Sequence, residues 1–302
     1  NHLHSDPDNN DVDNLDIIGS KGDNKDTWNS MGGMTSADLI SPTDSTPSKI
    51  GSALDFDGLD DRICLDDIDE NSNNNWNCNN NQDESSHFDS RQTNRTIELW
   101  YWAQDASATT FETILDGAGS SNGQAIYVYE NRVYAGNWKS KVTNLDYTSH
   151  PTSSQAWHHI AFVTEGASTS NTGSGKIILY FDGENVSESA NVAVGNNNNG
   201  DALGCIQGNI RAHVDTNGSD KHNGQSTSYT SDHNSCFDGM MDEFRVANSV
   251  LSADYIKTSY NAQNDPTNFV HDGIMLTETL SLTGTESHTV EVAGTEYISE
   301  SI

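Results

Sequence analysis

The sequence predicts an all-β fold: two antiparallel sheets packed as a sandwich, with one short helix near the C-terminus. Three observations carry this. Apolar residues come in short alternating runs, each run is bounded by Gly, Asn, Asp or Ser, and only one segment carries helix start signals. Hydrophobic residues make up 33% of the 302-residue chain and lie between long polar stretches, which suits many thin strands joined by long loops.

Residues 1–48 are polar and aspartate-rich, as in DPDNNDVDNLD and SKGDNKD. Strand-like runs then follow at short intervals: SALDFDG, DRICLDD, TIELWYWA, TILDGA, AIYVYEN, RVYAGNW, WHHIAFVT, KIILYFDG and MMDEFRV. TIELWYWA is apolar on both faces, Ile97, Leu99 and Tyr101 against Trp100 and Trp102, as a central strand covered on both sides should be. Asp182-Gly183 between two runs predicts a type I′ hairpin turn. In CFDGMMDEFRV, strict alternation places Met240, Asp242, Phe244 and Val246 on one face, so the Asp242 carboxylate is expected to point toward the core. Ser252 is placed to cap a helix over SADYIKTSYNAQ, with Leu251, Tyr255 and Tyr260 expected underneath. Beyond Pro266 the alternation resumes in IMLTETLSLTG and HTVEVAGTEYI.

The chain carries 14 basic against 45 acidic side chains, a net charge of −31. So acidic a surface repels nucleic acid and anionic lipid, and it suits multivalent cations. No apolar run approaches the ~20 residues of a membrane span, so membrane insertion is not expected. The chain starts in mid-pattern at Asn1, which is the expectation for a piece of something longer. Cys64, Cys78, Cys205 and Cys236 form no C-x-x-C pair, which argues against zinc. Three disulfide connectivities are open; nearest-neighbour pairing would staple two Asn- and Ser-rich loops and imply an oxidising, extracellular setting.

GSALDFDGLDDRICL, RTIELWYWA, AWHHIAFVTEG with KIILYFDGENV, and FDGMMDEFRVANSVLSADYI stand in the order of the laminin-G-like, concanavalin-A-like lectin/glucanase jelly roll. The chain resembles that family over residues 1–269. The opening NHLHSDP and the closing SADYIKTSYNAQNDPTNF are similar to the version in large, adhesin-type bacterial surface proteins. The resemblance implies a jelly-roll sandwich with one concave sheet and a binding or adhesion role. In many members it also implies a structural calcium ion. It further implies adjacent terminal strands, with Asp57 near Asp242, and a packing role for His159. On this reading residues 1–270 are one domain and 271–302 a strand or linker toward neighbouring domains of a larger chain.

Calcium takes six to eight oxygens, and Asp57, Asp60, Asp61 and Asp242 with loop carbonyls offer such a set. In the alternative reading, Asp242 accepts backbone N–H bonds and pins its turn. DTNGSD supplies a second candidate calcium loop through Asp215, Asn217 and Asp220, although it lacks the glutamate that closes an EF-hand. His213, His222 and His233, with Asp215 or Asp232, are a further, widely spaced candidate set for a transition metal. For a glycan, the candidates are the rings of Trp138 and Tyr134 beside Asn137, and Trp76 in an otherwise polar loop. There is no nucleophile elbow, P-loop or dinucleotide fingerprint. Asp242 and Glu243 alternate, and Glu98 stands alone, so a glycosidase acid pair is not expected. The sequence therefore predicts a non-catalytic, extracellular, cell-surface binding module that recognises a glycan or peptide with calcium. The alternatives are a structural spacer and a polysaccharide-cleaving enzyme of the same fold.

Overall fold

The computed structural model describes residues 16–18, 27–31, 38–41, 43–65, 92–110, 112–118, 122–139, 144–169, 174–195, 201–206, 209–212, 227–230 and 235–269. In chain order the strands begin with β1 (Asp16–Ile18), β2 (Thr27–Met31), β3 (Leu39–Ile40), β4 (Ala53–Asp57), β5 (Arg62–Cys64) and β6 (Arg95–Ala103). Then come β7 (Glu112–Ala118), β8 (Gly123–Tyr129), β9 (Arg132–Lys139), β10 (Asn144–Pro151), β11 (Trp157–Glu165) and β12 (Gly175–Phe181). β13 (Glu184–Val192), β14 (Ala202–Leu203), β15 (Asn209–Ala212), β16 (Thr227–Thr230) and β17 (Asp238–Ala247) precede helices α1 (Ala253–Asn264) and α2 (Pro266–Phe269).

One sheet has the order β1-β2-β5-β14-β7-β8-β9-β10 and the other β13-β12-β11-β6-β17-β4-β3, with β15 and β16 pairing separately. The two large sheets pack as a jelly-roll sandwich, so the fold class read from the sequence is the fold observed. Ile97, Leu99 and Tyr101 of β6 and Ile160 and Phe162 of β11 meet Ile126, Val128, Val133 and Ala135 of β8 and β9 in one core. The period-2 alternation of each run selects these side chains.

β6 is central, between β11 and β17, and both its faces are covered. On the outer face Tyr260 of α1 stacks on Trp100 with ring centroids 5.6 Å apart. Ser252 caps α1, its Oγ accepting from the Tyr255 N–H. The helix buries Ile256 against Ala161, Val163, Ile178 and Tyr180, with Leu251 alongside. Tyr255, expected underneath, is exposed, because adjacent helix positions differ by about 100° and Ile256 takes the buried direction. Asp182 and Gly183 both have positive φ, 49° and 78°, as the I′ turn between β12 and β13 requires. His159 is fully buried beside Trp100, in the packing role expected of it.

β17 departs from the expected alternation. Its pairing with β6 slips between Asp242 and Arg245, and Glu243 sits at φ 53°. Before the slip Met241 lies opposite Tyr101 and faces the core; after it Phe244 does, three residues on. Asp242 therefore lies with Met240 opposite Trp100 and Trp102, on the outer face, and not with Phe244 toward the core. A β-bulge inserts one residue, and that inverts the face of everything on one side of it.

Cys205 and Cys236 form a disulfide across 31 residues, one of the pairings left open by the sequence. Closing a loop of this length is worth about 3–4 kcal/mol in the chain-entropy model. Cys78 and the side chain of Cys64 lie outside the described residues, as do 270–302.

Candidate functional site

The turn from β4 to β5 reads Asp57-Gly58-Leu59-Asp60-Asp61. Gly58 holds φ 75°, and a Cβ there would fall 2.9 Å from that of Asp238, so the close crossing of this turn over β17 depends on glycine. Asp57 Oδ1 accepts the Leu59 N–H at 2.8 Å and the Asp60 N–H at 3.3 Å, and Asp61 Oδ2 accepts the Asp57 N–H at 3.0 Å. These bonds fold the turn inward, and a carboxylate oxygen from each of Asp57, Asp60 and Asp61 comes within 4.8 Å of the others. Leu59, at the tip, is 66% exposed.

The electrostatics of this turn are those of crowded, partly dried carboxylates. Burial pushes Asp61 up to about 7; the bond from the Asp57 N–H opposes this, while the charges of Asp57, Asp38 and Asp60 add to it. Asp55 and Asp238 are raised by the same combination of burial and neighbouring acids. Next along the rim, burial and then Asp238 and Asp105 push Glu112 up to about 8, and its Oε2 has no hydrogen-bond partner among the described residues. An all-oxygen, all-carboxylate set in which the charges of Asp57 and Asp60 add to the raised proton affinity of Asp61 fits a hard divalent cation, which would remove that repulsion.

Asp242 does not join this group. β4 and β17 are neighbours as expected, but the register sets Asp238 opposite Asp57. Asp242 stands four residues further along, about 13 Å at strand rise. Its carboxylate accepts the Ile50 N–H at 2.7 Å and the Glu243 N–H at 2.8 Å, tying the 48–50 loop to the bulge. Burial outweighs these bonds and pushes it up to about 7. The reading in which Asp242 accepts backbone N–H bonds is the one its geometry fits.

The aromatic candidates on β9 are also corrected. Trp138 is 0% exposed and Tyr134 is buried, in a cluster with Ala125, Tyr127, Tyr129, Tyr147 and Ile206. Tyr134 stacks on Tyr127 with centroids 4.9 Å apart. These rings pack on one another, so neither offers the open face that a sugar-stacking role needs. Asn137 projects to the opposite face and donates from Nδ2 to Thr164 Oγ1 of the other sheet at 3.1 Å. It braces the sandwich interior and cannot share a site with Trp138. Trp76, Asp215, Asn217 and Asp220 lie outside the described residues, as do His213, His222 and His233.

The acids considered for glycoside cleavage are all inaccessible: Glu98, Asp242 and Glu243 are buried. Glu98 faces His159 Nε2 at 3.6 Å on the helix-covered side of β6. Among the described residues no helix is long and apolar enough to cross a membrane.

No protein-family model matches the chain, and no curated protein matches it. Solved structures do. The serotype D botulinum neurotoxin binding domain is similar over 83% of this chain and 50% of its own, with TM-score 0.50 and 11% identity. The botulinum neurotoxin DC binding domain, solved in complex with rat synaptotagmin II, is similar over 87% of this chain and 51% of its own, with TM-score 0.50 and 9% identity. A heptameric SAP-like pentraxin from Limulus polyphemus overlaps 56% of this chain and 70% of its own, with TM-score 0.37 and 14% identity. This chain thus spans about half the length of the toxin domains it resembles, and at these identities the likeness is one of fold: a jelly-roll β-sandwich.

Proposed function

We propose that this chain is a calcium-dependent binding module of an extracellular, cell-surface protein, and that its recognition surface is the rim carrying the Asp57–Asp61 turn. The observation that carries this reading is the convergence of the Asp57, Asp60 and Asp61 carboxylates beneath an exposed Leu59. A calcium ion held there would neutralise the three acids and fix the turn. Asp57 and Asp60 would hold it from the rim, and Asp61 from below. Gly58 keeps the turn pressed against β17, and the N–H bonds to Asp57 and Asp61 set the approach of the carboxylates. Leu59 then presents an apolar contact beside a cation, a combination that suits a glycan ring with its hydroxyls or a short peptide. The toxin structures with this fold are binding domains, which agrees with a ligand-facing role for this sandwich. A surface spacer has no use for an exposed leucine on a cation-bound rim.

A broad glycan and peptide array, probed with the chain in millimolar calcium and again in chelator, tests this. Binding to a defined ligand set in calcium, lost in chelator and reduced at least tenfold in Leu59→Asp, is the expected result. Silence in both conditions would contradict a recognition role and leave the spacer.

A further inference from the structure

We propose that Ser153, His158 and Asp182 form an acyl-transfer triad that hydrolyses small acyl esters. Ser153 Oγ lies 2.9 Å from His158 Nε2, and His158 Nδ1 lies 3.1 Å from Asp182 Oδ2. The two ring nitrogens are divided as nucleophilic serine chemistry requires, with the carboxylate on Nδ1 and the hydroxyl on Nε2. The triad departs from the sequence expectation of a chain without catalysis, and it does not rest on the calcium reading of Asp57–Asp61.

Each member is held by its surroundings. Asp182 is clamped in the β12–β13 turn: its Oδ1 accepts the His159 N–H at 2.9 Å, and its own N–H donates to the His159 carbonyl at 2.8 Å. His158 packs on Phe181, ring centroids 4.7 Å apart, and its side chain is 15% exposed. Ser153 is exposed, but its neighbours are fixed. The Thr152 N–H donates to Asn131 O at 2.8 Å, and Thr152 Oγ1 bonds Tyr101 Oη at 2.6 Å. Ser154 Oγ accepts the Ala106 N–H at 2.9 Å, and the Gln155 N–H donates to Ala103 O at 2.8 Å. Such fixing of a nucleophile and its base by packing and backbone bonds is what a preorganised site needs.

The reaction balances without a cofactor. Ser153 Oγ attacks the ester carbonyl while its proton passes to His158 Nε2, and Asp182 stabilises the imidazolium. Collapse breaks the ester C–O bond, and the alcohol leaves with the proton from Nε2. Water then attacks the acyl-serine, gives its proton to Nε2, and the carboxylic acid departs as Ser153 recovers its hydrogen. Ser153 is exposed, and the rings of His158, Phe181 and His150 run on from it in a row, His158 4.7 Å and His150 4.6 Å from Phe181. An exposed serine at the end of this row of rings leaves room for a short acyl group, such as acetyl, carried on a larger alcohol. The 104–106 loop joins it to the acidic rim, since the Gln104 N–H donates to Asp238 O and the Ala106 N–H to Ser154 Oγ.

Asp182 also pins its hairpin, so a stability change alone says nothing about chemistry. The test is therefore covalent labelling and turnover on the full chain, with an alkyl fluorophosphonate and p-nitrophenyl acetate as probes. The expected result is an adduct mapped by mass spectrometry to Ser153, and ester turnover at least tenfold lower in Ser153→Ala, whose melt matches the parent chain. Asp182→Asn keeps the oxygen that accepts the His159 N–H and replaces the acceptor facing His158 Nδ1 with an NH2 donor; it is expected to slow labelling at least tenfold. No adduct at Ser153, or equal turnover in Ser153→Ala, would overturn the proposal.

Discussion

Replacing Trp138 by Ala is expected to lower the unfolding free energy by about 3–5 kcal/mol, the range for deleting a large buried aromatic side chain. Trp138 is fully buried on the outer face of β9, in the cluster that holds Tyr127, Tyr134 and Tyr147. Its removal leaves a cavity walled by large, stacked rings that cannot collapse inward without breaking their own contacts. Equilibrium urea unfolding of the two chains measures the difference directly. A ligand-stacking tryptophan on an open surface would give the opposite pattern, a loss of binding with a change in stability within about 0.5 kcal/mol.

Stability measured in chelator is expected to fall as pH rises from about 4 to about 8, and to fall by several kcal/mol. Asp61 and Asp242 are each pushed from 3.8 up to about 7 by burial, and Glu112 from 4.5 up to about 8, also by burial. A raised acid binds its proton more tightly folded than unfolded. Its contribution is therefore complete below the unfolded value and is lost as pH climbs through the folded one. Each tenfold change in proton affinity corresponds to about 1.4 kcal/mol. Calcium should separate the three groups. A cation on the Asp57–Asp61 turn favours the ionised form of Asp61, so saturating calcium flattens that share of the slope, while the share from Asp242 remains. Melts across this pH range, with calcium and with chelator, show whether the slopes differ. A stability that rises with pH in chelator would contradict these assignments.

The fold was legible because alternation selects the core side chains directly. TIELWYWA, WHHIAFVT and KIILYFDG became β6, β11 and β12 with the faces they predict. β10 is not legible because Asn144–Pro151 is largely polar and pairs at a sheet edge, where apolar alternation fades; β13, Glu184–Val192, is as polar and shows in the sequence only through its hairpin turn. The face of Asp242 is not legible because a β-bulge has no period to read; its traces, the slip in pairing between Asp242 and Arg245 and Glu243 at positive φ, are visible in the structure alone. The error over Trp138 was of another kind. RVYAGNW reads as a strand, and its alternation already sets Asn137 and Trp138 on opposite faces. Burial on the outer side of a sheet depends on what crosses it, which no local pattern states. The acidic turn was legible in LDFDGLDD, since Asp, Gly and Asp at close spacing force carboxylates together. Ser153, His158 and Asp182 were invisible as a set, since they come from one loop, one strand and a separate hairpin that only the β11–β12 pairing brings side by side.

The most direct measurement is a calorimetric titration of calcium into the chain at neutral pH, repeated with Asp60→Asn and Asp61→Asn, with the melting temperature followed at each end point. Saturable binding in the parent chain is predicted, with stabilisation of about 2.7 kcal/mol once free calcium exceeds Kd a hundredfold, and with affinity at least tenfold weaker in both variants. Heats no greater than dilution, and melts that coincide in calcium and chelator, would contradict the account at its centre.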